Sequence, residues 1–148
     1  MSTLLIRDSR WRRLRGLSAR LKRAVRLALA EGGADADAEL TLLLTTDRHV
    51  QALNRSFRRK DGPTNVLSFP SGEDGYLGDV AIAYGVAARE ARAGGKTVSD
   101  HAVHLAVHGV LHLVGFDHVS EREARRMEPR EVRILKKLGI ADPYRGTA

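Results

Sequence analysis

No cysteine occurs in the 148 residues, so disulfides and thiolate metal ligation are closed to this chain, and only imidazoles and carboxylates remain as metal-binding groups. A reducing compartment fits that absence. No apolar run approaches the roughly 20 residues that cross a bilayer. The opening MSTLLIRDSR also lacks an apolar h-region, so neither a membrane span nor a secretory leader is expected, and the expected location is cytoplasmic. Internal repeats and low-complexity segments are missing too. With 43% hydrophobic and 29% charged residues, disorder is not expected outside the termini, and the length predicts a single domain, 1–148, with a real core.

Acid is missing from one long stretch. Between residues 10 and 26 come Arg10, Arg12, Arg13, Arg15, Arg20, Lys22, Arg23 and Arg26 without a carboxylate. The early ones oppose the positive end of a helix dipole. The net charge of +7 and pI near 10.4 point to a polyanionic partner such as RNA, although a merely solvated basic face has the same composition.

The segments read as follows. TLLIR at 3–7 is a strand, and Ser9 caps one helix over about 10–31 whose inner stripe is Trp11, Leu14, Leu17, Leu21, Val25 and Leu29. A strand at 39–45 precedes a short helix, capped by Thr46 or Asp47, with Val50, Leu53 and Phe57 on one face. TNVLSF at 64–69 is a strand closed by Pro70, and the loop SGEDG returns the chain into YLGDVAIA at 76–83. Residues 85–93 are helical. Ser99 or Asp100 starts the next helix, apolar almost all round and therefore central. Ser120 and Glu123 form a capping box for the last helix, which Pro129 should kink or split near 126–129.

That central helix carries a histidine frame, HGVLHLVGFDH at 108–118. His108 and His112 lie one turn apart on one helical face, where two imidazoles converge on one ion. Gly115 accepts the left-handed conformation that ends many helices and lets His118 return to the same point. A single helical His is ordinarily a satisfied core side chain. Three in this register, with glycine at the turn, predict a metal site, and three protein ligands with a position left for water suit one catalytic zinc ion. HxxxHxxGxxH is the ligand spacing of the metzincin peptidases, but their general-base Glu, directly after the first His, is Gly109 here. His104, a turn earlier, is a partner lining the site or an ordinary packed His.

HGVLHLVGFDH, with LNRSFRRKDGPTNVLSFP at 53–70 and LGDV at 77–80, resembles the YbeY family of bacterial endoribonucleases and rRNA maturation factors. LGIADPY at 138–144 is similar to that family's C-terminal end. The resemblance implies an α+β fold, a small mixed sheet of about four strands packed by helices, with a zincin-like three-histidine site at a cleft. It implies a metal-dependent, single-strand-specific endoribonuclease of 16S rRNA 3′-end maturation, other rRNA processing and ribosome quality control. On it, His108, His112 and His118 match the zinc ligands and Arg58 the functionally important arginine. The partners it implies are single-stranded rRNA, the small ribosomal subunit, ribosomal protein uS11 and the GTPase Era. The first 45 residues match only in organisation, so the arginine-rich helix gains nothing from the resemblance.

The chemistry expected is attack of a metal-activated water on a phosphodiester, with Arg58 paired to the phosphate. Which group moves the proton stays open among metal-bound hydroxide, the RNA 2′-OH, Asp117 and His104. Asp117 serves equally as a turn residue, and Asp79 either lines the cleft or bends a strand. Two rivals stand beside this reading: a zinc peptidase, disfavoured by Gly109, and a ribosome-associated RNA-binding protein whose zinc is structural, with Asp117 completing a closed site.

Overall fold

A computed structural model of the chain describes residues 2–58, 64–116 and 121–144, leaving aside the side chains of 58 and 121–125. The elements run β1 (Ser2–Ile6), α1 (Ser9–Arg12), α2 (Leu17–Glu31), β2 (Leu40–Thr45), α3 (Asp47–Arg58), β3 (Val66–Glu73), β4 (Tyr76–Ala83), α4 (Tyr84–Ala93), α5 (Val98–Leu113) and α6 (Glu121–Lys137). The sheet has the order β1-β2-β4-β3. β1, β2 and β4 are mutually parallel, and β3 runs antiparallel to β4. This is the small mixed sheet of an α+β fold, with the strand number the resemblance implied.

Alternation along the strands divides the core. Leu40, Leu42, Leu44, Val80 and Ile82 face the layer of α2, α5 and α6, whereas Leu67, Ala81 and Ala83 meet Val50 of α3 on the other side. α5 lies in the larger core as its composition predicts, with Ala102, Val103, Ala106, Val107, Val110 and Leu111 at 0% exposure. Each buried Val or Leu contributes about 1.5–3 kcal/mol, so the helix is held from several sides and its polar residues are confined to one row.

Gly109 sets how closely α5 approaches the sheet. A Cβ there would lie 2.5 Å from Val80 Cγ1, 3.2 Å from Ser68 Oγ and 3.3 Å from Val66 Cγ2. Ser68 Oγ donates to the Gly109 carbonyl at 2.8 Å, tying β3 to the middle of α5.

Several segment expectations need correction. The helix expected over 10–31 is two helices, because Gly16 adopts φ 70° and acts as the N-cap of α2. The break puts Arg10 and Arg12 in the last turn of α1, the favourable end of its dipole. Asp8, rather than Ser9, caps α1, accepting from the Arg10 amide. Trp11 then anchors α1 by donating from its indole to the Thr45 carbonyl at 3.1 Å. α5 is capped by Thr97, one residue before its first helical position. β3 does not close at Pro70: it continues to Glu73, and Asp74 and Gly75 alone make the turn into β4. Pro70 is tolerated because β3 is an edge strand. Nor does Pro129 split α6, which runs as one helix through it. Pro129 lies on the exposed side while Met127, Ile134 and Leu135 stay buried on both sides of it, and the Arg130 guanidinium donates to the Arg126 carbonyl at 2.9 Å. Thr46, by contrast, caps α3 as expected, accepting from the His49 amide at 3.1 Å.

Two stability measurements check this packing. Gly109→Ala should lower stability by about 1–2 kcal/mol, since overpacking against a stiff, buried valine outweighs the helix-propensity gain of alanine; an unchanged melting temperature would contradict the close approach. Asp8→Ala should cost about 1 kcal/mol, roughly 3 °C in Tm. The bond from Arg10 holds the Asp8 carboxyl below its ordinary 3.8, so this contribution is complete above that pH and disappears below it. Melting curves of wild type and variant should therefore converge in acid.

Candidate metal centre

Spacings of three and four residues along α5 place His101, His104, His108 and His112 in one continuous row. Successive ring centroids are 5.9, 6.5 and 4.6 Å apart. His101, His104 and His108 line a groove of about 480 Å³ with Asn65, Glu90 and Tyr144. The His108 and His112 rings converge as the spacing predicts, their Nε2 atoms 3.0 Å apart. Two imidazole nitrogens on one tetrahedral zinc ion, at about 2.0–2.1 Å each, are separated by roughly 3.3 Å, so the pair already has nearly the span such an ion requires.

Behind the row sits a residue that sequence reasoning missed. Glu131 of α6 is 0% exposed. Its Oε1 accepts from His108 Nδ1 at 2.8 Å, and its Oε2 accepts from His104 Nε2 at 3.0 Å and from the Tyr144 hydroxyl at 2.6 Å. Burial pushes this carboxyl up, but the bonds from His104, His108 and Tyr144 outweigh it and hold the pKa down to about 2. Burial, with the neighbouring Glu131 charge, drives the Tyr144 phenol far above its ordinary value, so it remains a donor. A signal was available in the sequence: Glu131 stands midway between Met127 and Leu135 at four-residue steps, a single carboxylate in an otherwise apolar stripe.

A carboxylate behind one ring nitrogen is the usual support for a metal-binding histidine, because it fixes the tautomer and turns the other nitrogen outward. His108 and His112 therefore fit a zinc ion by donor chemistry and by spacing. No three potential ligand side chains converge among the described residues, and His104 turns its Nε2 to Glu131 instead of joining the pair. His118 and Asp117 lie outside the described residues. Gly115 has φ 105°, and the Phe116 amide reaches back to the Leu111 carbonyl at 3.0 Å. The helix thus ends at the expected glycine. Arg58 is the last residue of α3, and its side chain is outside the description.

At the upper end of the groove, His101 pairs with Glu90 at 2.9 Å, and Asn65 donates to the same oxygen at 2.9 Å. Burial lowers the His101 pKa against the opposing pull of Glu90. Asp79 is not part of this groove. It accepts from the Tyr76 hydroxyl and lines a second groove of about 750 Å³ with Thr41, Leu43, Phe57 and Phe69, on the α3 side of the sheet.

Much of the basic stretch is engaged within the chain. Arg20 pairs with Asp100 at 2.6 Å, Arg26 pairs with Asp37, Arg23 donates to the Lys137 carbonyl at 3.4 Å, and Arg10 pairs with Asp8 at 2.5 Å. No helix among the described residues is long and apolar enough to cross a membrane.

Comparison with known proteins gives a consistent result. The family model described as Endoribonuclease YbeY matches residues 7–139. A Rhodopseudomonas palustris protein named Endoribonuclease YbeY is 50% identical over 145 residues, covering 92% of this chain and 76% of that protein. A Maricaulis maris protein of the same name is 44% identical over 143 residues, covering 95% and 89% respectively. A Thermotoga maritima protein solved in solution shares the fold with a TM-score of 0.65 at 22% identity, covering 98% of this chain and 99% of that one. The matched span contains the paired imidazoles of α5, the carboxylate behind them and three of the four strands, and the chain belongs to the endoribonuclease YbeY family.

Proposed function

We propose that this chain is a zinc-dependent endoribonuclease that cleaves single-stranded RNA, acting in 16S rRNA 3′-end maturation, rRNA processing and ribosome quality control. The observation carrying the metal part is the convergence of His108 Nε2 and His112 Nε2 at 3.0 Å, with Glu131 behind His108. Family membership supports RNA as the substrate, and the net charge of +7 suits a polyanion. His118 is proposed as the third ligand, arriving after the turn at Gly115.

When bound, zinc supplies a Lewis acid that activates water and polarises a phosphoryl oxygen. The chain's own residues do the rest. His108 and His112 present neutral nitrogens, and Arg58 pairs its planar guanidinium with the phosphate and the negative charge that develops on it. Gly109 gives no base at the position a zinc peptidase uses, and the 2.5 Å approach of its virtual Cβ to Val80 leaves no room for one. Deprotonation of the attacking oxygen, whether of water or of the RNA 2′-OH, therefore falls to a base other than residue 109, with Asp117 the candidate the chain supplies. The small ribosomal subunit, with ribosomal protein uS11 and Era, is the proposed cytoplasmic setting.

Wild type, His112→Ala and Arg58→Glu separate binding from chemistry. The first variant should lose zinc in elemental analysis together with cleavage of a single-stranded rRNA fragment. The second should keep zinc and fold and lose cleavage by about 100-fold or more. Normal cleavage by Arg58→Glu would remove that residue from the mechanism, and cleavage of casein without cleavage of RNA would overturn the substrate. Because imidazoles ligate only when neutral, zinc affinity should fall as pH drops through about 6. Full zinc occupancy at about pH 4 would contradict histidine ligation.

A further inference from the structure

We propose that Glu131 is a positioning residue that imposes opposite tautomers on two neighbouring histidines of α5, proton on Nδ1 in His108 and on Nε2 in His104, and thereby sets which imidazole binds the metal. An ionised carboxylate only accepts hydrogen bonds. Oε1 meets His108 Nδ1 at 2.8 Å, and Oε2 meets His104 Nε2 at 3.0 Å, so each ring must place its hydrogen on the nitrogen facing Glu131. In His108 this makes Nε2 the lone-pair nitrogen, and it is the atom lying 3.0 Å from His112 Nε2. In His104 it makes Nδ1 the lone-pair nitrogen, and that atom is buried without a hydrogen-bond partner. The orphaned nitrogen is therefore the one that has no proton to offer.

The two rings share a helix, a face and a carboxylate, yet only one is oriented to ligate. His104 is thereby assigned to holding Glu131, not to the metal and not to the reaction. Tyr144 supplies the third donor, at 2.6 Å to Oε2, and its ring packs edge-on against His104 at 5.9 Å, so the segment after α6 closes over the side of the groove. Its bond goes to the oxygen that serves His104, which leaves the Oε1 bond to His108 to the imidazole.

The tautomer pattern is read directly in metal-free wild-type protein at about pH 8, above the roughly 6.5 of an unperturbed imidazole, from long-range proton–nitrogen correlation spectra of the ring nitrogens. Nδ1–H in His108 with Nε2–H in His104 is expected; the same tautomer in both rings overturns the proposal. The second arm rests on the zinc reading above. Glu131→Gln, checked for fold by circular dichroism, should weaken zinc binding about 10–100-fold in competition with a chromophoric chelator. Tyr144→Phe, which keeps the carboxylate and both imidazole bonds, should change it by less than about threefold on the same basis. Equal zinc affinity in Glu131→Gln and wild type overturns the proposal, as does a loss in Tyr144→Phe as large as that in Glu131→Gln. A wild type that binds no zinc would sink the metal reading alone, since the metal-free spectra still decide the tautomers.

Discussion

A carboxylate withdrawn completely from water is tolerated only when its oxygens are bonded, since an unpaired buried charge costs several kcal/mol. Glu131 meets that condition with three donors from two parts of the chain, His104 and His108 on α5 and Tyr144 beyond α6. The requirement fixes the rotation of α6 against α5. Turning α6 by one residue, about 100°, would replace Glu131 with Arg130 or Val132 and leave two imidazoles without their acceptor. The same constraint orients the His108 imidazole and leaves its Nε2 beside His112, so the packing of the helical layer and the orientation of the histidine row depend on one set of hydrogen bonds.

The helix that presents the histidines is constrained from the opposite side by the sheet. Gly109 faces Val80 and Ser68, and the absence of a side chain brings the α5 backbone against β3 and β4. Buried alanines and valines fill the remaining contacts with α2 and the sheet. Rotamers of side chains on so enclosed a helix are limited, which is the condition for a site to hold its geometry before a ligand arrives. The aliphatic core and the polar row are consequences of one pattern, apolar residues on every face but one.

The sequence was most informative where structure follows local periodicity. The apolar runs of β2 and β4, the apolar girth of α5 and the glycine at its end all give their positions directly, and the four-residue step from His108 to His112 is realised as a converging pair. What escaped was set by distant partners or by single-residue backbone freedom. Gly16 interrupts a stripe that continues in space as though the helix were whole. Pro70 and Pro129 act more mildly than their reputation because one lies on an edge strand and the other on a solvent-facing side. The acids that pair with Arg10, Arg20 and Arg26 are Asp8, Asp100 and Asp37, all outside the stretch itself, so a run without a carboxylate overstated the free positive charge. Glu131 was hidden by the habit of reading an inner face only for its apolar members.

The position after the first histidine separates this site from a peptidase more firmly than a change of residue type suggests. In a peptidase that position holds a carboxylate beside the metal, and a family could in principle exchange Gly for Glu if the side chain had somewhere to go. Here it has nowhere to go: the direction a Cβ would take is occupied by Val80 and by the Ser68 hydroxyl that bonds the Gly109 carbonyl. The face of α5 bearing residue 109 packs against the sheet, while His101, His104 and His108 line the groove on another face. Introducing a base at 109 would therefore require separating α5 from the sheet, with loss of the packing that orients the histidines. On the proposed reading residue 109 cannot supply the base, and a substrate with its own hydroxyl beside the scissile bond, as RNA has, is chemically suited to a site built without one.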